Sequence, residues 1–243
     1  MNILRVRDYA SVSEKAKNIV LDRISDFSDT TIALPTGNTP DMMYSLLVKE
    51  YQSGKVDFSD VVIFNLDEYV GMDPENPYSY NYYIHNRFLK HVKTERSYVP
   101  NGLAEDLDRE CEAYEDKIKE EGNLDLALLG IGRNGHIGFN EPGTSFDSLT
   151  HVTDLSEDTM EANARFFPRD LDFPEKAITM GLKTIMGARE IILLASGNEK
   201  ANAIREMILG EVTENLPASI LQTHKNCNAI IDGDAASLLG NSI

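Results

Sequence analysis

The chain has 243 residues, with 23 Lys and Arg against 40 Asp and Glu, a formal charge of −17. Hydrophobic residues make up 42% and charged residues 26%, the balance of a globular chain that buries a core, not of a disordered one. A surface this acidic excludes nucleic acid and anionic membrane as partners, because both are bound through an excess of Lys and Arg. Any small anionic ligand would have to be held by local donors against the overall field.

The first residues turn polar within five positions and build no apolar leader core. The longest strongly apolar runs, such as residues 191–195, are too short to cross a bilayer. Cys111 and Cys227 show neither the CxxC spacing of a metal or redox site nor a disulfide framework. These features predict a reduced, soluble, cytoplasmic protein without a metal. With no repeat or linker, residues 1–243 read as a single domain.

In chain order, residues 13–24 have helical periodicity and residues 31–34 are a short apolar strand. A helix over 40–51 and a strand over 61–66 come next, then a helix over 106–120 and a strand over 124–129. Strands over 191–195 and 229–231 flank a last helix over 198–209. Short β-branched runs without alternation are strands buried on both faces, and their alternation with helices predicts an α/β fold. That fold is an open, mostly parallel, Rossmann-like sheet with helices on both faces. In such sheets the ligand lies beyond the carboxyl ends of the strands.

Three strand ends carry chemistry. After the first comes Leu34-Pro35-Thr36-Gly37-Asn38-Thr39-Pro40, with Gly37 and Asn38 tolerant of unusual backbone angles and Pro40 suited to a first helical turn. Backbone N–H groups and the Thr36 and Thr39 hydroxyls at a helix N-terminus suit a phosphate. A plain strand-to-helix turn reads the same way, and the GK[ST] of a nucleotide-triphosphate loop is absent. The second strand runs into Asp67-Glu68-Tyr69, where a carboxylate could act as a base on a bound molecule or cap the next turn. Glu68 is the better candidate for the structural role, although strand alternation does not say which side chain faces the site.

The third strand end is Gly130-Ile131-Gly132-Arg133-Asn134-Gly135-His136-Ile137-Gly138-Phe139-Asn140-Glu141, with four glycines in nine residues. His136 paired with Glu141 could move protons near neutral pH, and the HExxH spacing of a zinc helix is absent. His85, His91, His151 and His224 lack such neighbours, and Tyr78, Tyr80, Tyr82 and Tyr83 read as lid or helix packing. Arg165 offers a planar fork and Lys200, opening a helix, a mobile point charge; either alone reads as ordinary surface charge.

The set LPTGNTP, FNLDEYVG, GIGRNGHIGFNEPGTSF, ANARFF and ASGNEKA, in this order from about residue 30 to residue 232, resembles the glucosamine-6-phosphate deaminase family. The resemblance implies a cofactor-free reaction of glucosamine 6-phosphate with water, giving fructose 6-phosphate and ammonia. The family's enolisation base falls on Asp67 and its ring-opening group on His136, with Glu141 as the carboxylate that orients the imidazole. The phosphate site falls on Thr36, Gly37, Asn38, Thr39, Arg165 and Lys200. Anchoring the phosphate would bring C1 and C2 of the sugar beside Asp67 and His136.

Two departures stand out. Longer members carry an Asp two residues before the histidine, where this chain has Asn134. Asn can accept a hydrogen bond from imidazole but supplies no charge, so Asn134 is expected only to position the ring. Longer members are also allosteric oligomers with a C-terminal extension and basic residues after the FNEP segment. This chain ends at Ile243 and has His151, Thr153 and Asp154 there, so a monomer or small homo-oligomer insensitive to N-acetylglucosamine 6-phosphate is expected. A sugar-phosphate lactonase or pentose-phosphate isomerase is the alternative within the fold, and a non-catalytic sugar-phosphate sensor the alternative outside it.

Overall fold

The computed structural model describes residues 1–164, 167 and 173–240. The chain runs through β1 (Asn2–Arg5), α1 (Tyr9–Asp26), β2 (Thr31–Leu34), α2 (Asp41–Gln52), β3 (Val62–Asn65), β4 (Asp67–Tyr69) and α3 (Tyr80–Arg87). It continues through β5 (Arg96–Tyr98), α4 (Leu107–Glu120), β6 (Leu126–Gly130), β7 (His151–Asp154) and α5 (Glu157–Ala164). Then come β8 (Lys176–Thr179), α6 (Leu182–Met186), β9 (Glu190–Ala195), α7 (Ala201–Leu209) and β10 (Cys227–Ile231).

The main sheet has seven strands in the order β1-β10-β9-β6-β2-β3-β5, and every pairing in it is parallel. Parallel strands are covered on both faces, which is why β2, β3 and β6 are apolar at consecutive positions. Ile32, Leu34, Ile63, Leu126 and Leu128 pack with α1, α2 and α3. Their neighbours Ala33, Val62, Phe64, Ala127 and Leu129 pack with α4, α6 and α7 on the opposite face. Side-chain caps fix three helix starts: Asp8 accepts from Ser11 N, Ser79 from Tyr82 N, and Asp106 from Arg109 N. Pro40 falls at the N-cap of α2, one residue before the helix begins.

From β2 the chain moves outward to β3 and β5, then returns to place β6 on the other side of β2 before continuing to β9 and β10. The direction of winding therefore reverses between β2 and β6. Loops leaving neighbouring strands diverge there and open a crevice at their carboxyl ends.

A second sheet, antiparallel and three-stranded in the order β4-β8-β7, is absent from the sequence expectation. Its strand β4 starts two residues after β3 ends, and it pairs Asp67 with Thr179 across more than a hundred residues of chain. Glu115 of α4 ties this sheet to the main body. Buried, it accepts from Thr150 N at 2.8 Å, Thr150 Oγ1 at 2.6 Å and Thr184 Oγ1 at 2.6 Å. Glu115→Ala strands two buried donors and one half-buried one, and should lower unfolding free energy by about 2–4 kcal/mol. A urea midpoint equal to that of the parent protein would show that the tie contributes nothing.

Candidate active site

The crevice is a cavity of about 350 Å³ lined by the segments that leave β2, β3, β6 and β9, with α5 and Tyr80 completing its wall. Thr36, Gly37, Asn38 and Thr39 are among its lining residues. Three tyrosines from three helices hold this loop from outside. Tyr44 donates to the Pro35 carbonyl (2.5 Å) and Tyr9 to the Asn38 carbonyl (2.9 Å), while the single proton of the Tyr83 hydroxyl is shared between the Gly37 carbonyl (2.6 Å) and Asp41 Oδ1 (2.7 Å). The backbone N–H groups of residues 36–39 have no hydrogen-bond partner among the described residues. Carbonyls satisfied from behind and N–H groups left open make a surface for anion oxygens. Gly37, at φ +94°, supplies the backbone turn that a side chain would resist.

Asp67 and Glu68 divide the two roles left open above. Glu68 accepts from Tyr69 N (2.8 Å), Tyr80 N (3.0 Å) and Asn81 N (2.8 Å), so it holds the start of α3. Asp67 lines the cavity, is 5% exposed, and accepts no side-chain hydrogen bond among the described residues. Burial, reinforced by the neighbouring Glu68 carboxyl, pushes the Asp67 carboxyl up to about 8.

The glycine loop after β6 folds back on itself, with Gly132 N donating to His136 O (2.9 Å) and Gly135 N to Gly132 O (3.1 Å). The imidazole of His136 lies across the Cα of Gly132, where an added Cβ would stand 2.3 Å from Cε1. Glycine at 132 is therefore a requirement of the histidine's position. His136 Nδ1 lies 3.5 Å from Glu141 Oε2. Burial opposes ionisation of Glu141, but His136, Thr159 and Asn134 together outweigh it and hold its carboxyl at about 2.

Asn134 does not meet the imidazole as the sequence suggested. Its amide donates to Glu141 Oε2 (2.8 Å) and its carbonyl accepts from the His136 backbone N–H (3.2 Å). A neutral donor here steadies the carboxylate, where an Asp would repel it. Thr159, which sequence reasoning missed, contacts both His136 and Glu141. Tyr80 and Tyr83 also do more than pack. Tyr80 lines the cavity and stacks on Phe139 with an interplanar angle of 14°, and its hydroxyl meets Tyr69 Oη at 3.0 Å.

Lys200 lines the cavity at the N-cap of α7, beside Glu199. Its approach loop is set by Asp232, which accepts from Ser196 Oγ and from Gly197 N (3.2 Å). Arg165 lies outside the described residues. Among the described residues, no three His, Cys, Asp or Glu side chains converge as metal ligands, and no helix is long and apolar enough to cross a membrane.

Open backbone N–H groups, a buried carboxyl and a His–carboxylate pair gathered in a switch-point crevice have the form of the active site of an α/β enzyme acting on a small molecule. The chain belongs to the family of glucosamine-6-phosphate isomerases and 6-phosphogluconolactonases, which it matches over residues 7–230. A glucosamine-6-phosphate deaminase from Thermoanaerobacter sp. (strain X514) is 48% identical over 241 residues, covering 98% of this chain and 95% of its own. The solved structure of a monomeric glucosamine-6-phosphate deaminase superposes with a TM-score of 0.96 at 44% identity, covering 98% of this chain and 100% of that one. A 6-phosphogluconolactonase from Trypanosoma cruzi shares the fold, with a TM-score of 0.80 at 21% identity over 98% of this chain and 97% of its own.

The raised Asp67 carboxyl links stability to pH. Between about pH 4, where an unfolded Asp ionises, and about 8, where the folded one does, the folded state holds the extra proton. Stability is thus lost as pH rises through this window. Asp67→Asn removes the titration, so its melting temperature should exceed the parent's by a margin that grows from pH 4 to pH 8. A margin independent of pH would refute the assignment.

Proposed function

We propose that this chain is a deaminase that converts glucosamine 6-phosphate and water to fructose 6-phosphate and ammonia. The observation that carries the reading is one cavity holding both an open N–H loop and a buried carboxyl with no hydrogen-bond donor of its own among the described residues. Identity of 44–48% to deaminases over 98% of the chain supports the same reaction. The phosphate is held by residues 36–39 and by Lys200, with Arg165 as a further ligand. Short-range donors do this work, since a chain of −17 attracts no anion from a distance.

His136 takes the proton of the C1 hydroxyl while the C1–O5 bond breaks. The bond's electron pair goes to O5, which receives the proton. Asp67 then removes the C2 proton; the electron pair forms a C1–C2 double bond and the aldehyde oxygen takes a proton from the C2 ammonium, leaving a neutral enamine. Asp67 returns its proton to C1 as the nitrogen lone pair forms an iminium at C2; water adds to C2, and the C–N bond breaks to expel ammonia. The substrate's ammonium group, arriving beside Asp67, favours the ionised carboxylate and so prepares the base. Asn134 and Glu141 support His136. The enzyme acts in the cytoplasm as a monomer or small homo-oligomer, in keeping with its two free, buried thiols, Cys111 and Cys227.

Purified protein given glucosamine 6-phosphate should release ammonia and fructose 6-phosphate in equal amounts. Asp67→Asn should reduce kcat by about a thousandfold while inorganic phosphate still binds. Hydrolysis of 6-phosphogluconolactone without ammonia release would overturn the reading. Tyr83→Phe removes the hydroxyl that links the Gly37 carbonyl to Asp41 of α2 and loosens the anion loop. KM and the inhibition constant of inorganic phosphate should rise together by about 5-fold, with kcat unchanged. A change in kcat alone would place Tyr83 elsewhere in the mechanism.

A further inference from the structure

Thr159 stands on α5 at the cavity wall, 1% exposed. Its Oγ1 donates to Glu141 Oε1 and lies 3.2 Å from His136 Nδ1. Nδ1 also faces Glu141 Oε2 in an ion-pair contact at 3.5 Å. Behind Thr159, Ser156 Oγ donates to Thr159 Oγ1 (3.2 Å), and Asn134 Nδ2 reaches both Ser156 Oγ (3.3 Å) and Glu141 Oε2 (2.8 Å).

The hydrogen count decides the direction of each bond. A threonine hydroxyl has one proton and two lone pairs. Glu141 is ionised, because its carboxyl is held at about 2, so it has no proton to give and takes that of Thr159. The Thr159 oxygen is left as an acceptor, for Ser156 on one side and for His136 Nδ1 on the other. The hydrogen of neutral His136 therefore sits on Nδ1, and Nε2 carries the free lone pair.

We propose that Thr159 is the positioning residue that fixes the orientation and tautomer of His136, so that Nε2 is the nitrogen that takes the C1 hydroxyl proton in ring opening. The catalytic part rests on the deaminase reading; the tautomer does not. Glu141 acts on the imidazole through the Thr159 hydroxyl as well as through space. α5 thereby becomes a structural partner of the glycine loop. Arg133 strengthens the same contact by pairing with Asp158 at 2.9 Å.

Nitrogen NMR of ligand-free protein labelled in its imidazoles, with His136 assigned through His136→Gln, reads the tautomer directly. The parent protein and Thr159→Ser should show hydrogen on Nδ1, and Thr159→Val should shift towards hydrogen on Nε2. In the ammonia assay, Thr159→Val should lose about 10- to 100-fold in kcat with KM within about 3-fold, and Thr159→Ser should recover most of it. The pH–rate profile of Thr159→Val should move, and that of Thr159→Ser should match the parent's. Hydrogen on Nε2 in the parent overturns the proposal whether or not Thr159→Val folds. So does a Thr159→Ser variant as impaired as Thr159→Val, or a Thr159→Val variant with parental kcat. A tautomer shift in a protein that releases no ammonia sinks the deaminase reading and leaves the positioning role standing.

Discussion

The carboxyl group of Asp67 is buried at the cavity with no hydrogen-bond donor of its own among the described residues, and much of the surrounding architecture serves to keep it there. A buried, unpaired acid costs stability, so it persists only where neighbouring structure over-determines its place. Here the chain leaves the main sheet at β3 and within two residues joins a second sheet, where β4 is clamped to β8. Glu68 takes three N–H groups, Tyr69 N in β4 and Tyr80 N and Asn81 N at the start of α3. Gly138, at φ +58°, carries the glycine loop past with no side chain, and an added Cβ would lie 3.6 Å from Asp67 Oδ2. The acid is left without donors while its neighbour is saturated with them. That asymmetry leaves one carboxyl open to the cavity and makes the other a strut.

The same division between free and satisfied groups recurs in the loop after β2, on the same cavity. Three phenols neutralise the outward carbonyls of the anion loop, and its N–H groups are spare. Local dipoles and the Lys200 charge act over a few ångströms. The net charge of the chain acts over distances that salt screens, to about 8–10 Å at physiological ionic strength. An acidic protein can therefore bind a phosphate without contradiction.

Much of the fold was legible because its strands are short, doubly buried and apolar at every position. Residues 31–34 coincide with β2, and residues 124–129 and 191–195 overlap β6 and β9. The edge strands β1 and β5 were not legible, because one flank faces solvent and residues such as Asn2, Arg5 and Arg96 interrupt the apolar run. Nor was the second sheet. Asp67-Glu68-Tyr69 has no strand pattern of its own, and its pairing with residues 177–179 is a contact between distant segments. In the site, the TGNT loop, Asp67, His136 and Glu141 stood out through composition and motif. Tyr9, Tyr44 and Tyr83 did not, because a tyrosine on an amphipathic helix reads as packing until its hydroxyl is placed.

From the amino-acid sequence alone came the class of fold, the strand ends that carry chemistry and the family whose motifs they match. Those are local properties, set by apolar periodicity and by residue types at fixed spacing. Tertiary structure alone decided which of two adjacent carboxyls faces the cavity and that Asn134 addresses Glu141, not the imidazole. It also placed a threonine 23 positions beyond His136 between the members of the His–Glu pair. Each of these depends on the direction of a side chain and on which donors remain unclaimed. Segments far apart in the chain settle both only when they pack.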